Sequence, residues 1–236
     1  MQGFKTSFTV DIHDVDFNGS AKASALLKYI QSAAQTQLTT NGMSYENLRN
    51  QKRAFIISKI KMEISDEVRA YEPITATTYP ATSRGYSFLR CYELVRDGEP
   101  VARAIAVWAL VDTETRALVK VNDFELGLET YDPIDIPMTR FVMPKNLLEV
   151  GAYTVSYGDT DQNRHMNNTR YPDIYSSFIQ MDKKRIKSIT ISYLEEAKMG
   201  ETLKVEKAEI DDVIYFRTIR ENGKINTEAE IKLADI

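Results

Sequence analysis

Polar side chains that could do chemistry alternate along the segment "YGDTDQNRHMNN", residues 157–168. Asp161, Asn163 and His165 occupy alternate positions there. Runs of this kind are common at turns, where Asn and Asp side chains hydrogen-bond their own backbone. A histidine imidazole, with an ordinary pKa of about 6.5, is also suited to proton transfer or to polarising a carbonyl group near neutral pH. The segment therefore has three interpretations: a solvated turn, a metal site or part of an enzyme active site.

The metal interpretation finds little support in the rest of the chain. Zinc requires several His, Cys or carboxylate ligands at characteristic spacing. The chain has two histidines, His13 and His165, which do not occupy equivalent positions, and its one cysteine, Cys91, has no nearby partner. No G-x-S-x-G sequence marks the serine of a catalytic triad. We therefore predict no metal and no cofactor.

An internal repeat surrounds the polar segment. The stretch "FTVDIHDVDFNGSA" (8–21) resembles "YTVSYGDTDQNRHM" (153–166), and the offset between equivalent positions stays constant along both. Apolar residues alternate at the start of both copies, which predicts a half-buried strand. The residues that follow are spaced as one face of a helix in both copies. These are Leu26, Tyr29, Ile30, Ala33 and Ala34 in the first copy and Tyr171, Ile174, Tyr175, Phe178 and Ile179 in the second.

The repeat continues at a smaller offset and predicts the fold. The stretch "SDEVRAYEPI" (65–74) resembles "LEEAKMGETL" (194–203), so the first copy contains an insertion before this point, which predicts an additional turn of helix and a loop. Glycine-centred hairpins and alternating strands follow in both copies. We predict an α+β fold in which each half packs a long helix on a curved antiparallel sheet. The predicted domains are 1–125 and 145–236, joined by a proline-containing linker at 126–144.

The two copies differ at the position that could do chemistry. Asp16 and Asn18 of the first copy match Asp161 and Asn163 of the second, but Ser20 stands where the second copy has His165. The shared Asp and Asn residues can close a turn in both halves. The histidine has no such structural need, and a duplicated fold requires only one working site. If a helix begins at this turn, its free backbone N–H groups would also stabilise an oxyanion.

The composition excludes several classes of function. A net charge of -4 argues against a general nucleic-acid binder, which normally has a basic excess. The start "MQGFKTSFTVDIHDVD" has no apolar stretch behind positive charge, and no window approaches the roughly 18 consecutive apolar residues of a membrane span. A single cysteine cannot form an intrachain disulfide. We therefore expect no nucleic-acid partner, no membrane span and a cytoplasmic location.

The motif "DTDQNRHMNNTRY", followed by "SYLEEAKMGE", resembles the acyl-acyl carrier protein thioesterases, whose pattern is D-x-N-x-H-x-N-N-x-x-Y. The resemblance covers nearly the whole chain, because members of that family also carry two tandem units. It implies two hotdog domains, each a long helix wrapped by an antiparallel sheet. It further implies a thiolester hydrolase that releases a free fatty acid from acyl carrier protein and so terminates fatty acid synthesis.

The resemblance also implies roles for individual residues. Asp161, Asn163 and His165 match the family's catalytic Asp, Asn and His, and Glu196 matches its downstream acidic residue. Plant relatives have a cysteine directly after that glutamate, whereas this chain has Ala197, which excludes a thiol nucleophile at this position. Glu196 is then expected to activate water or to attack the thioester directly. His165 and Asn163 would orient the thioester and the nucleophile, while Asp161 would hold the loop.

Two other glutamates have to be distinguished from Glu196. Glu195 is its neighbour, and adjacent residues of a strand point to opposite faces, so only one of the two can face the site. Glu67 is the first-copy equivalent of Glu196, but it has no histidine partner in its own copy. We therefore expect Glu67 to have a structural role.

The resemblance implies an acidic acyl carrier protein as partner and a first half that shapes the acyl tunnel. A basic patch near the tunnel mouth would steer this partner, an effect that salt weakens. The candidates are Lys183, Lys184, Arg185, Lys187, Arg164 and Arg170. The alternatives are a hotdog thioesterase acting on acyl-CoA and a non-enzymatic hotdog protein that binds acyl chains. An exposed sheet edge would also permit a homodimer.

Overall fold

The computed structural model describes residues 2–138 and 141–236, and within these ranges it contains three α-helices and eleven β-strands. The helices are α1 (Ala23–Thr40), α2 (Tyr45–Asn50) and α3 (Tyr171–Ser176). The strands of the first half are β1 (Phe4–Thr9), β2 (Arg53–Ile64), β3 (Pro73–Arg84), β4 (Ser87–Arg96), β5 (Glu99–Asp112) and β6 (Leu118–Val119). Those of the second half are β7 (Leu148–Thr154), β8 (Lys184–Tyr193), β9 (Thr202–Ile210), β10 (Val213–Ile219) and β11 (Ile225–Asp235).

The strands form one antiparallel sheet that spans both halves of the chain. The strand order is β1-β3-β4-β5-β2-β8-β11-β10-β9-β7, with the short β6 paired to β5. The second half thus repeats the order of the first half in reverse. The halves join where β2 pairs with β8, in a register that runs from Lys59 opposite Ser192 to Glu63 opposite Ser188. The structure therefore confirms the predicted repeat and the antiparallel α+β architecture.

Helix α1 is the main helix and packs on the first half of the sheet, against β1, β3 and β4. Its buried face includes Leu26, Ile30 and Ala33, as the spacing predicts. The helix ends at Thr40 because Gly42 adopts a left-handed conformation, φ +78°, which glycine accepts without steric cost. Among the described residues, no helix combines the length and the apolar character needed to cross a membrane.

The prediction of a long helix in the second half was wrong. Helix α3 has six residues and ends at Ser176, so Phe178 and Ile179 lie beyond it in tight turns. Strand β8 begins at Lys184, which leaves too little chain for the helix to continue. The first half has a longer connection at this point, and the added length allows α1 to reach 18 residues.

The additional residues of the first half also form a second helix, α2, where we predicted a turn of helix and a loop. Ser44 caps it by accepting a hydrogen bond from the backbone N–H of Asn47 at 3.2 Å. Leu48 is buried and anchors the helix against β2. Tyr45, the first residue of α2, consequently has a fixed position.

Candidate active site

The segment from Asp161 to His165 forms a tight turn. The Asp161 carboxylate accepts a hydrogen bond from the backbone N–H of Asn163 at 2.8 Å and a longer one from that of His165 at 3.4 Å. The backbone N–H of Asp161 donates to the carbonyl oxygen of His165 at 2.9 Å. Arg164 completes the turn in a left-handed conformation, φ +63°. Asp161 therefore holds the loop that carries Asn163 and His165.

A buried carboxylate anchors this turn to the rest of the second half. The Asp159 carboxylate accepts hydrogen bonds from the N–H and hydroxyl groups of Ser156, at 2.9 and 2.6 Å, and from Arg170 Nε at 3.2 Å. Burial raises the pKa of the Asp159 carboxyl, but these hydrogen bonds outweigh burial and hold the pKa below its ordinary value. Asp159 is therefore charged when it holds the turn.

His165 and Glu196 come together although they are distant in the sequence. The chain leaves β8 and passes beside the turn, where the backbone N–H of Met166 donates to the carbonyl oxygen of Ala197 at 2.8 Å. This pairing places Glu196 Oε2 at 3.3 Å from His165 Nδ1. The His165 side chain is 27% exposed and that of Glu196 is 50% exposed. Both groups are therefore fixed by backbone contacts yet accessible to a small molecule.

Our expectation that Glu195 and Glu196 lie on a strand was wrong, because β8 ends at Tyr193 and both residues follow it. Glu195 nevertheless makes different contacts from Glu196. Its carboxylate pairs with Lys224 Nζ at 2.9 Å and with Arg220 Nη1 at 3.4 Å. The hydrogen bond from Lys224 lowers the pKa of the Glu195 carboxyl. Glu196, in contrast, is the glutamate of this pair that contacts His165.

A cavity of about 410 Å³ opens beside His165 and Glu196. The second half contributes the polar turn, and the first half contributes most of the remaining wall. The apolar part of that wall includes Ala34, Leu38, Phe55, Phe88, Leu89 and Trp108. Polar and charged side chains of the first half, among them Arg53, Arg90 and Asp112, line other parts of the cavity. A cavity of this size, with an apolar wall and convergent polar groups, is typical of a small-molecule site.

Most backbone N–H groups of the turn are engaged in hydrogen bonds rather than free, as they would be at a helix start. The N–H groups of His165 and Met166 are engaged with Asp161 and Ala197. The next helical turn begins only at Asn168, and the side chain of Asn167 caps it by accepting from the N–H of Thr169 at 2.9 Å. The side-chain amide of Asn163, which lines the cavity, is therefore a candidate for stabilising an oxyanion.

The equivalent turn of the first half is built in the same way but lacks the reactive pair. Asp16 Oδ1 accepts hydrogen bonds from the N–H groups of Asn18 and Ser20, at 2.9 and 3.1 Å. Glu67 is paired with Arg69, consistent with the structural role that we expected. A larger cavity, about 730 Å³, lies beside this turn. The described residues that line it include no histidine, so its size alone does not make it a reaction site.

The predicted basic residues divide between the two cavities. Arg170 and Arg185 line the cavity of the first-half turn, and the neighbouring lysines 183, 184 and 187 lie on the same segment, at the start of β8. Arg164 is the one candidate located in the His165 turn. Sequence reasoning missed Arg116, an exposed residue that lines the His165 cavity. Within residues 2–138 and 141–236, no carboxylate lies within 4 Å of either Arg164 or Arg116.

Sequence reasoning also missed Tyr45. Its hydroxyl group donates a hydrogen bond of 2.7 Å to Asn163 Oδ1, and Arg49 Nη1 donates to the Tyr45 oxygen at 3.0 Å. Both residues belong to α2, the segment that has no counterpart in the second half. The insertion in the first copy was the available signal, but nothing in the sequence shows which turn it approaches.

Comparison with known protein families accounts for both halves of the chain. Residues 1–126 match the family described as the acyl-ACP thioesterase N-terminal domain, where ACP is acyl carrier protein. Residues 144–235 match the acyl-ACP thioesterase C-terminal domain. The chain belongs to the acyl-ACP thioesterase family. The two matches fall on either side of the proline-containing segment, while the division at 126–144 stays a prediction.

Relatives within the acyl-ACP thioesterase family are distant in sequence. The chloroplastic palmitoyl-acyl carrier protein thioesterase of Arabidopsis thaliana is 23% identical over 219 residues, which cover 82% of this chain and 52% of the relative. The chloroplastic dodecanoyl-[acyl-carrier-protein] hydrolase of Cinnamomum camphora is 23% identical over 221 residues, 85% of this chain and 58% of the relative. The chain thus spans about half the length of the curated relatives it matches.

Solved structures of acyl-ACP thioesterases share the fold over the whole chain. One from Bacteroides thetaiotaomicron superposes with a TM-score of 0.90 at 19% identity and covers 98% of this chain and 97% of that one. The 12:0-ACP thioesterase from Umbellularia californica superposes with a TM-score of 0.84 at 14% identity, covering 100% and 99%. The large antiparallel sheet with few helices is therefore common to these proteins.

Proposed function

We propose that this chain hydrolyses the thioester bond of an acyl-acyl carrier protein and releases a free fatty acid, which terminates fatty acid synthesis. The observation that carries the proposal is the contact between His165 and Glu196 beside a cavity with an apolar wall. Membership of the acyl-ACP thioesterase family supports the same conclusion. We also propose that each half is a hotdog unit, the second with a shortened helix.

The proposed reaction uses Glu196 as general base. Its carboxylate takes a proton from a water molecule while the water oxygen attacks the acyl carbon. The tetrahedral intermediate then collapses, and the C–S bond breaks. The sulfur leaves as a thiolate that is protonated from the solvent, and Glu196 gives its proton back to the solvent. A thiolate is a good leaving group, so strong acid assistance is dispensable. General base assistance of this kind contributes roughly 10²–10⁴-fold to the rate.

The neighbouring side chains orient the reactants in this proposal. His165 holds the Glu196 carboxylate through the 3.3 Å contact, and Asn163 directs an amide N–H towards the thioester oxygen. Asp161 holds the loop through its two hydrogen bonds to the backbone. The apolar wall of the cavity, supplied by the first half, receives the acyl chain. Burial of the chain there is worth about 0.8 kcal/mol per CH₂ group.

Docking of the carrier protein is proposed to use the arginines beside the His165 cavity. Arg116 and Arg164 are exposed, and no described carboxylate neutralises them. The lysines at the start of β8 lie beside the other cavity and are less suited to this task. A homodimer would pair through an edge strand of the sheet, β1 or β7. Light scattering after gel filtration measures the mass of the particle and so tests for the dimer.

The proposed function is tested by hydrolysis of a panel of thioesters by the purified chain. The panel contains acyl carrier protein thioesters and acyl-CoA thioesters of matched chain lengths. We expect faster turnover of the carrier protein substrates at every matched length. Preference for acyl-CoA would replace the proposed substrate with its alternative. Binding of acyl chains without hydrolysis of either class would make the chain a non-enzymatic acyl-binding protein.

A further inference from the structure

Tyr45 links the two halves of the chain at the candidate active site. Its hydroxyl group donates a 2.7 Å hydrogen bond to Oδ1 of Asn163, 118 residues later in the chain. Ser44 caps α2, and Leu48 is buried under it, so the helix that carries Tyr45 is held at both ends of its first turn. The first half therefore contributes a polar contact to the site as well as an apolar wall.

Arg49 determines the direction of the hydrogen bond from Tyr45. A phenol hydroxyl can donate or accept, whereas an arginine guanidinium can only donate. Arg49 Nη1 donates to the Tyr45 oxygen at 3.0 Å, and the guanidinium lies 5.6 Å from the centre of the Tyr45 ring. Because the Tyr45 oxygen accepts from Arg49, its own proton is directed to the carbonyl oxygen of Asn163.

Asp161 fixes the other end of the same amide. Its Oδ2 atom lies 3.4 Å from Nδ2 of Asn163, and an ionised carboxylate can only accept. A donor on one side and an acceptor on the other leave the Asn163 amide a single favourable orientation. The second N–H of Nδ2 has no hydrogen-bond partner among the described residues. It is available to a ligand in the cavity that Asn163 lines.

We propose that Tyr45 is a positioning residue for thioester hydrolysis. It orients the Asn163 amide so that the free N–H of this amide donates to the thioester carbonyl oxygen. Arg49 sets the direction of the hydrogen bond from Tyr45 to Asn163. This inference rests on the proposed function. The donor strengthens its hydrogen bond as negative charge develops on that oxygen in the transition state. Tyr45 itself does not contact the substrate.

In the first-half turn, the equivalent amide of Asn18 makes a different set of hydrogen bonds. Asn18 Nδ2 donates to the carbonyl oxygens of Met181 and Lys184, at 2.8 and 3.2 Å. Asn18 Oδ1 accepts from the backbone N–H of Lys183 at 3.2 Å. Both N–H groups of Asn18 are consumed by backbone, so its amide has no donor left for a substrate. Tyr45, in contrast, donates to the side-chain oxygen of Asn163 and does not engage either N–H group of the Asn163 amide.

The test is a double-mutant cycle on hydrolysis of the acyl carrier protein substrate. We expect Tyr45→Phe to lower kcat about two- to tenfold, the range for one hydrogen bond, with KM and melting temperature unchanged. Asn163→Ala should lower kcat at least as much, and the double variant should be no slower than Asn163→Ala alone. Tyr71→Phe is the matched control, because Tyr71 is exposed and is not among the described residues that line the His165 cavity.

A second variant keeps the test decisive if Tyr45→Phe does not fold. Arg49→Met removes the donor to Tyr45, and we expect it to lower kcat in the same direction and to have no further effect in the Asn163→Ala background. Two results would overturn the inference and leave the proposed function intact. In the first, the reductions in kcat from Tyr45→Phe and Asn163→Ala multiply in the double variant. In the second, Tyr45→Phe keeps wild-type kcat while Asn163→Ala is slow. Wild-type turnover in both His165→Ala and Asn163→Ala would remove the proposed site itself, and the inference with it.

Discussion

Replacing Glu196 by Gln is expected to abolish most thioester hydrolysis without unfolding the protein. Gln has nearly the same volume as Glu and can still contact His165, but its amide cannot accept a proton from water. The neighbouring substitution Glu195→Gln is the matched control, because it makes the same chemical change at the adjacent position. The Glu195 carboxylate contacts Lys224 and Arg220 rather than His165.

The magnitudes separate a chemical effect from a structural one. Loss of a general base costs roughly 10²–10⁴-fold in rate. At about 1.36 kcal/mol for each factor of ten, this corresponds to about 2.7–5.4 kcal/mol of activation free energy. The contact between His165 and Glu196 is half-exposed to solvent, and pairs of this kind contribute at most about 1 kcal/mol to stability. The loss of activity should therefore far exceed any loss of folded protein.

The assay measures kcat and KM on an acyl carrier protein thioester, with circular dichroism melting curves for each variant. We expect Glu196→Gln to lose at least about two orders of magnitude in kcat, and Glu195→Gln to keep wild-type kcat. Glu196→Asp should recover part of the loss, because it keeps a carboxylate and only shortens its reach. A fully active Glu196→Gln variant, or a loss confined to Glu195→Gln, would refute the assignment of the base.

Three further predictions concern docking, the acyl cavity and the anchor of the turn. The double change Arg116→Glu and Arg164→Glu should raise KM for the carrier protein substrate about tenfold at low salt. KM should change little at high salt or for a small acyl thioester. An equal change in KM for both substrates would exclude a docking role. Ala34→Leu should fill part of the cavity and shift the substrate preference to shorter acyl chains. A chain-length profile identical to wild type would show that Ala34 does not contact the acyl chain. Asp159→Asn should lower the free energy of unfolding by about 1–3 kcal/mol at neutral pH. Because hydrogen bonds lower the pKa of Asp159 below 3.8 in the folded state, its stabilisation is present above that value and is lost as the pH falls through the lowered pKa. A difference between wild type and Asp159→Asn that does not change with pH would contradict this account.

Much of the fold could be predicted because it depends on local pattern. Alternating apolar residues and glycine-centred turns indicate antiparallel strands wherever they occur, and the two registered copies gave the same series of elements twice. The pairing of β2 with β8 could not be predicted, since both strands alternate in the same way and nothing local selects a partner. The length of α3 was predicted wrongly because Phe178 and Ile179 continue the helical spacing. That spacing does not show that β8 begins as early as Lys184.

The candidate site divides in the same way. The turn residues and Glu196 lie in the repeated segments, so comparison of the copies singles out His165. The alternation rule did not apply to Glu195 and Glu196, because β8 ends at Tyr193, and the structure was needed to show which of the two contacts the histidine. Tyr45 could not be predicted, because α2 has no counterpart in the second half. Arg116 could not be predicted either, since nothing local shows which cavity the turn between β5 and β6 approaches.

The asymmetry between the halves has a structural cause beyond the change of one histidine. The connection after α1 is longer than the connection after α3, and the two connections approach opposite turns. The long one brings a tyrosine hydroxyl to Asn163, whereas the short one brings backbone groups that saturate the amide of Asn18. Restoring a histidine by Ser20→His would therefore supply an imidazole but no free amide donor. We expect that substitution, combined with His165→Ala, to leave hydrolysis at the level of His165→Ala alone. Substantial recovery of activity in the combined variant would show that the histidine is sufficient and that the insertion is not required.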